Sequence, residues 1–109
     1  LTSKGRAGLL NVKRGEYRIV RVNGAVISMP EKPTLRAIQQ AIGAETLDSV
    51  ILKRDSDRPT IVMMVDDTGM IDSKPPNPKA TELYHAICKP GTVWQIHGDV
   101  AIVHDGDFA

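Results

Sequence analysis

The sequence predicts an α+β domain, a mixed or antiparallel sheet with two helices packed on it. Three observations point there. Short runs rich in β-branched residues alternate with turn chemistry along most of the 109 residues. Only two stretches, 35–42 and 78–88, pair a capping residue with helical spacing of apolar positions. Two helices are too few to cover both faces of a large sheet, so the sheet is expected to be packed on one side. The expected order is β-β-α-β-β-(β)-α-β-β.

Residues 1–15 hold three glycines and the basic residues Lys4, Arg6, Lys13 and Arg14, without sustained periodicity. They read as a flexible basic arm before a single domain at 16–109, and removal of residues 1–14 is expected to leave that domain folded. The segment 17–22, the Asn23-Gly24 step and 25–29 then form a hairpin, with a type I′ turn at Asn-Gly. Pro30 and Pro33 break the strand. Thr34 caps a helix over 35–42 that turns Leu35, Ile38 and Ile42 inward and ends at Gly43.

Strands follow at 49–53 and 60–65, the second an almost continuous apolar run of the kind buried on both faces. Asp55 to Pro59 and Asp66 to Gly69 are turns, and Met70-Ile71 adds a short edge strand. Asn77 and Pro78 suit the N-cap and first position of a helix that runs to about Cys88 and buries Ala80, Leu83, Tyr84 and Ile87. Strands at 92–97 and 100–104, joined by Gly98-Asp99, precede a short acidic tail.

Composition bounds the function more than it identifies it. Apolar residues make up 41% of the chain and aromatics 4%, so the core is aliphatic. A net charge of +1 gives no general argument for a polyanionic partner. Cys88 has no second cysteine to bridge, and no apolar run approaches the roughly 20 residues that span a bilayer. A cytoplasmic protein with no membrane partner is expected.

Several polar groups merit attention as sites. The helix N-terminus at Asn77, flanked by Lys74 and Lys79 and followed by Tyr84, suits an anion or a partner's carboxylate, although capping alone explains the Pro-Asn-Pro step. Lys13, Arg14, Arg18 and Arg21 form the basic set that would meet phosphates in a nucleic acid. His97, Asp99 and His104 carry metal-ligating atoms but lack a recognised ligand spacing, so no metal is expected. Asp66, Asp67 and Asp72 read as turn residues, and His85 with Cys88 lacks a third orienting group. No phosphate loop or nucleophile elbow is present, so neither cofactor nor catalytic residue is expected.

The opening hairpin with Thr34, Leu35 and Gly43 resembles in part the β-grasp layout of ubiquitin-like sulfur carriers. The chain ends Asp107-Phe108-Ala109, without the Gly-Gly that carrier chemistry requires. Residues 35–52, Asp67-Thr68-Gly69, the run from Pro75 to Thr81, and the run from Ile96 to Val103 together resemble an uncharacterised family of small bacterial and phage proteins associated with mobile elements. That resemblance implies an accessory protein of a phage, plasmid or integrated element, and carries over no catalytic residue. The expectation is a non-enzymatic protein acting through protein–protein contact, with a free strand edge open to self-association. Nucleic-acid binding through the basic arm is the alternative.

Overall fold

The computed structural model describes residues 9–55, 58–68, 73–88, 91 and 93–108. Its elements are β1 (Tyr17–Val20), β2 (Val26–Met29), α1 (Leu35–Ile42), β3 (Leu47–Asp55), β4 (Arg58–Asp66), α2 (Pro78–Ile87), β5 (Val100–His104) and a closing 3₁₀ turn, Asp105–Phe108. The five strands make one sheet in the order β2-β1-β5-β4-β3, and every pairing is antiparallel. The α+β class and the two helices agree with the sequence.

Alternation along the strands sorts the aliphatic residues onto two faces. Tyr17, Ile19, Val62, Ala101 and Val103 pack with Ile38 and Ile42 of α1. Val20, Ile61, Met63, Val65, Val100 and Ile102 turn the other way and pack with Ala80 and Leu83 of α2. The sheet is therefore covered on both faces, not one. Among the described residues one helix lies on each face, and Leu9 and Val12 are buried in the α2-side core.

Of the expected arm, residues 1–8 lie outside the described residues, while Leu9 and Val12 are buried. From residue 9 onward the chain is anchored: Arg14 donates to the Gly106 carbonyl at 3.2 Å, and the Gly15 N–H meets the Asp107 carboxylate at 3.1 and 3.0 Å. Leu9 and Val12, two apolar residues three apart, belong to no longer periodicity that would mark them in the sequence. A Cβ at Gly106 would lie 2.9 Å from His104 Nδ1 and 3.0 Å from Arg14 Nε, so a larger residue there would have to displace these side chains.

The hairpin between β1 and β2 forms, but not with a two-residue turn. Gly24 N–H donates to Arg21 O and Arg21 N–H to Ala25 O, both at 2.9 Å, which closes a three-residue loop. Only Gly24, at φ 90°, takes the left-handed conformation, and Asn23 does not. This is a type I turn with a glycine bulge, and the Asn23 side chain accepts the Ala25 N–H at 2.9 Å instead of adopting a positive φ.

Three further expectations change. Residues 93–97 form no strand and share only an isolated bridge between His97 and Pro76. Leu35 and Ile87, expected to be inside, are 52% and 46% exposed, because α1 buries its sheet contacts at Ile38 and Ile42 and α2 at Ala80 and Leu83. The Met70-Ile71 strand lies outside the described residues. Thr34 and Asn77 cap their helices as expected, and Gly43 ends α1 at φ 67°.

Leu9→Ala is expected to lower stability by about 2–3 kcal/mol, toward the low end for leucine truncation in a core. Denaturant melts check this, and an unchanged midpoint would show that residues 9–15 are not part of the folded unit.

Candidate functional site

Asn77 is fully buried and every polar group it has is used. Its Oδ1 accepts the Ala80 N–H at 3.1 Å, which is the N-cap bond of α2. Its Nδ2 donates to Val20 O at 2.9 Å and to Gly98 O at 3.0 Å. The Asn77 N–H donates to Ile96 O at 2.8 Å, and its carbonyl receives the Thr81 N–H at 2.9 Å. The cap was legible from Pro76-Asn77-Pro78; the clamp onto β1 and onto residue 98 was not, because those partners are distant in sequence.

Asn77 begins a stripe on α2 at helical spacing, Asn77, Thr81 and His85. Thr81 Oγ1 accepts the Ile96 N–H at 3.0 Å, and His85 donates from Nε2 to the Trp94 carbonyl. The extended segment 94–98 thus satisfies its backbone against helix side chains and the 75–77 linker. Gly98 N–H to Pro75 O, at 2.8 Å, completes the set. This explains why a stretch with strand composition makes no strand: its hydrogen bonds go elsewhere.

The consequence is an exposed apolar surface on a fixed support. Val93 is 82% exposed and Trp94 64% exposed. Tyr84 is half-buried against the α2-side core, with its ring 6.0 Å from that of His85. A hydrogen bond with Cys88, then the charge of its thiolate and burial, raise the Tyr84 hydroxyl above the ordinary phenol range. Strand alternation in the sequence gives Trp94 no special place. Its signal was its chemistry, the only tryptophan in the chain, set in a stretch bounded by Gly91 and Gly98.

The structure distributes the other candidates among internal contacts. Lys74 pairs with Asp66 and donates to Gly43 O at 2.7 Å, so it caps the C-terminus of α1. Burial pushes the Asp66 carboxyl up, but the hydrogen bond from Lys74, those from Thr68, and the Lys74 charge outweigh it and hold the group below the ordinary carboxylate range. Lys79 donates to Gly24 O at 2.7 Å. Lys74, Asn77 and Lys79 thus each serve an internal contact.

The basic set is similarly divided. Arg14 bonds the Gly106 carbonyl, Arg18 donates to Asn11 O at 3.2 Å and pairs with Glu16 at 3.5 Å, and Arg21 pairs with Asp99 at 2.7 Å. Lys13 is exposed.

His97 donates from Nδ1 to Lys74 O at 2.8 Å, Asp99 also accepts the Val22 N–H at 2.9 Å, and His104 Nδ1 accepts the Gly106 N–H at 2.9 Å. Among the described residues, no three His, Cys, Asp or Glu side chains converge as metal ligands. Asp66 and Asp67 point apart, one buried and one exposed, and Asp72 lies outside the described residues. A cleft of about 160 Å³ opens over Asp66, Asp67, Gln95, Ile96 and His97, but the Asp66 carboxylate in it already belongs to Lys74. No described helix is long and apolar enough to cross a membrane. Compared with protein-family models, curated proteins and solved structures, the chain matches none.

Asn77→Ala is expected to destabilise the domain by about 2–4 kcal/mol, about 1 from the lost cap and the rest from buried carbonyls left unpaired. Asn77→Asp keeps the cap acceptor but sets a carboxylate oxygen against Val20 O and Gly98 O, so it should be at least as damaging. Thermal melts decide, and an Asn77→Asp protein as stable as wild type would show that the Nδ2 bonds contribute nothing.

Proposed function

We propose that this chain is a non-enzymatic accessory protein that acts by protein–protein contact, with Trp94 and Val93 at the centre of its binding surface. The observation that carries this reading is the exposure of Trp94 on a segment pinned to α2 at Thr81 and His85. A large aromatic held in place loses little conformational freedom when it docks, and tryptophan is among the residues that most often dominate binding energy. Val93 extends the apolar area, which suits a partner offering an apolar pocket.

The non-enzymatic part of the proposal draws support from how the reactive side chains are used. Asp66, His97, Asp99 and His104 are each held in a bond that organises the fold. The nucleic-acid alternative has less to draw on, because Arg14, Arg18 and Arg21 are tied to internal acceptors. The mobile-element context rests on the motif resemblance of 35–52, 67–69, 75–81 and 96–103, and the neighbouring genes test it.

The surface itself is tested by affinity capture with the immobilised chain, followed by mass spectrometry of what is retained. Trp94→Ala and Val93→Asp should each lose the retained protein while melting as wild type does. A variant with Lys13, Arg14 and Arg18 neutralised should retain it. A captured set indifferent to Trp94→Ala would refute the proposal.

A further inference from the structure

The two edges of the sheet are built differently. β3 carries Asp48, Lys53, Arg54 and Asp55 among its nine residues, and its pairing with β4 shifts register after Ile51 and again after Lys53. Charge and a bulge are the usual means of keeping an edge from pairing further. β2, Val-Ile-Ser-Met, carries no charge and no register shift, its guards being its length of four residues and Pro30 at its end, and Val26, Ile27 and Ser28 are exposed.

The direction of the free backbone groups on β2 follows from the hairpin. Arg21 N–H bonds Ala25 O, so Arg21 and Ala25 form a hydrogen-bonded pair. Such pairs alternate along an antiparallel ladder, which makes Ile19–Ile27 and Tyr17–Met29 the next ones. Val26 and Ser28 therefore aim their N–H and C=O groups away from β1, and among the described residues nothing pairs with them. The open stretch is bounded on both sides. Lys79 already occupies the Gly24 carbonyl, and Pro30 has no N–H to offer.

We infer that β2 pairs antiparallel with β2 of a second copy of this chain, across a two-fold axis at Ile27. The occupant is a second copy because this short edge is its own complement. Its outward residues, Val26 and Ser28, flank Ile27 symmetrically, so a two-fold through Ile27 sets Val26 of each copy opposite Ser28 of the other. Each pair then exchanges both backbone bonds. Ile27, on the α1 face, meets its own counterpart on the axis, and its 37% exposure is reduced. No charge lies in the strand to oppose the approach. The contact is short, so the dimer belongs to the weak, transient class. This inference goes beyond the Trp94 surface, which it leaves open on both copies.

Sedimentation equilibrium on the chain tests it. Wild type should pass reversibly from monomer to dimer between about 1 µM and 1 mM. Ile27→Lys sets like charges opposite each other on the axis, and Ser28→Pro removes an outward N–H. Each should weaken dimerisation at least about tenfold. Ile27 is partly exposed, so circular dichroism and melting of Ile27→Lys should match wild type even if Ser28→Pro folds poorly. Ser49→Lys on β3 and Trp94→Ala should leave the dimer unchanged. A wild-type chain that stays monomeric to about 1 mM overturns the inference, as does a dimer that survives Ile27→Lys or is lost with Trp94→Ala.

Discussion

The buried carboxamide of Asn77 joins three parts of the chain. Through Oδ1 it starts α2, through Nδ2 it holds the end of β1 and the turn at residue 98, and through its backbone it fixes Ile96. A carboxamide is suited to this because it presents an acceptor and a double donor from one planar group. Each bond contributes only about 1 kcal/mol net, but leaving a buried partner unsatisfied costs more, so the arrangement holds as a unit. The positions of α2 over the sheet and of the 94–98 segment beside α2 both follow from it.

A second clasp stands three residues earlier. Lys74 joins the end of β4, through Asp66, to the last carbonyls of α1, while its own backbone carbonyl accepts from His97. The linker between β4 and α2 is therefore tied on one side to the α1 face and on the other to the α2 face. Together Lys74 and Asn77 connect two cores that the sheet itself separates. Trp94, an exposed aromatic, sits at the end of this frame, which is why a loop residue has a defined position. A binding surface on a rigid support needs this kind of backing.

Much of the fold was legible in the sequence because local rules agreed with the final structure. Thr34 and Gly43 bracket α1, Asn77 and Pro78 open α2, and the apolar run in β4 does lie in a strand buried on both faces. What was not legible depended on distant partners. The run at 92–97 has strand composition, but its described part finds Thr81 and His85 in place of a neighbouring strand. Leu9 and Val12 are too few to form a pattern, yet the α2 face is incomplete without them. Lys74 and Lys79 looked available to an anion, and each was taken by a carbonyl more than thirty residues away in sequence. For the candidate surface, periodicity said nothing about Trp94, because its exposure results from side chains that pin its neighbours.

The claim that Asn77 and the α2 stripe immobilise the 94–98 segment is tested most directly by native-state amide hydrogen exchange. The N–H groups of Asn77, Ile96 and Gly98 donate to Ile96 O, Thr81 Oγ1 and Pro75 O. If these bonds are part of the global structure, the three amides exchange as slowly as those of the central strand β5, by whole-domain unfolding. Exchange at rates typical of an exposed loop, with β5 still protected, would contradict the account.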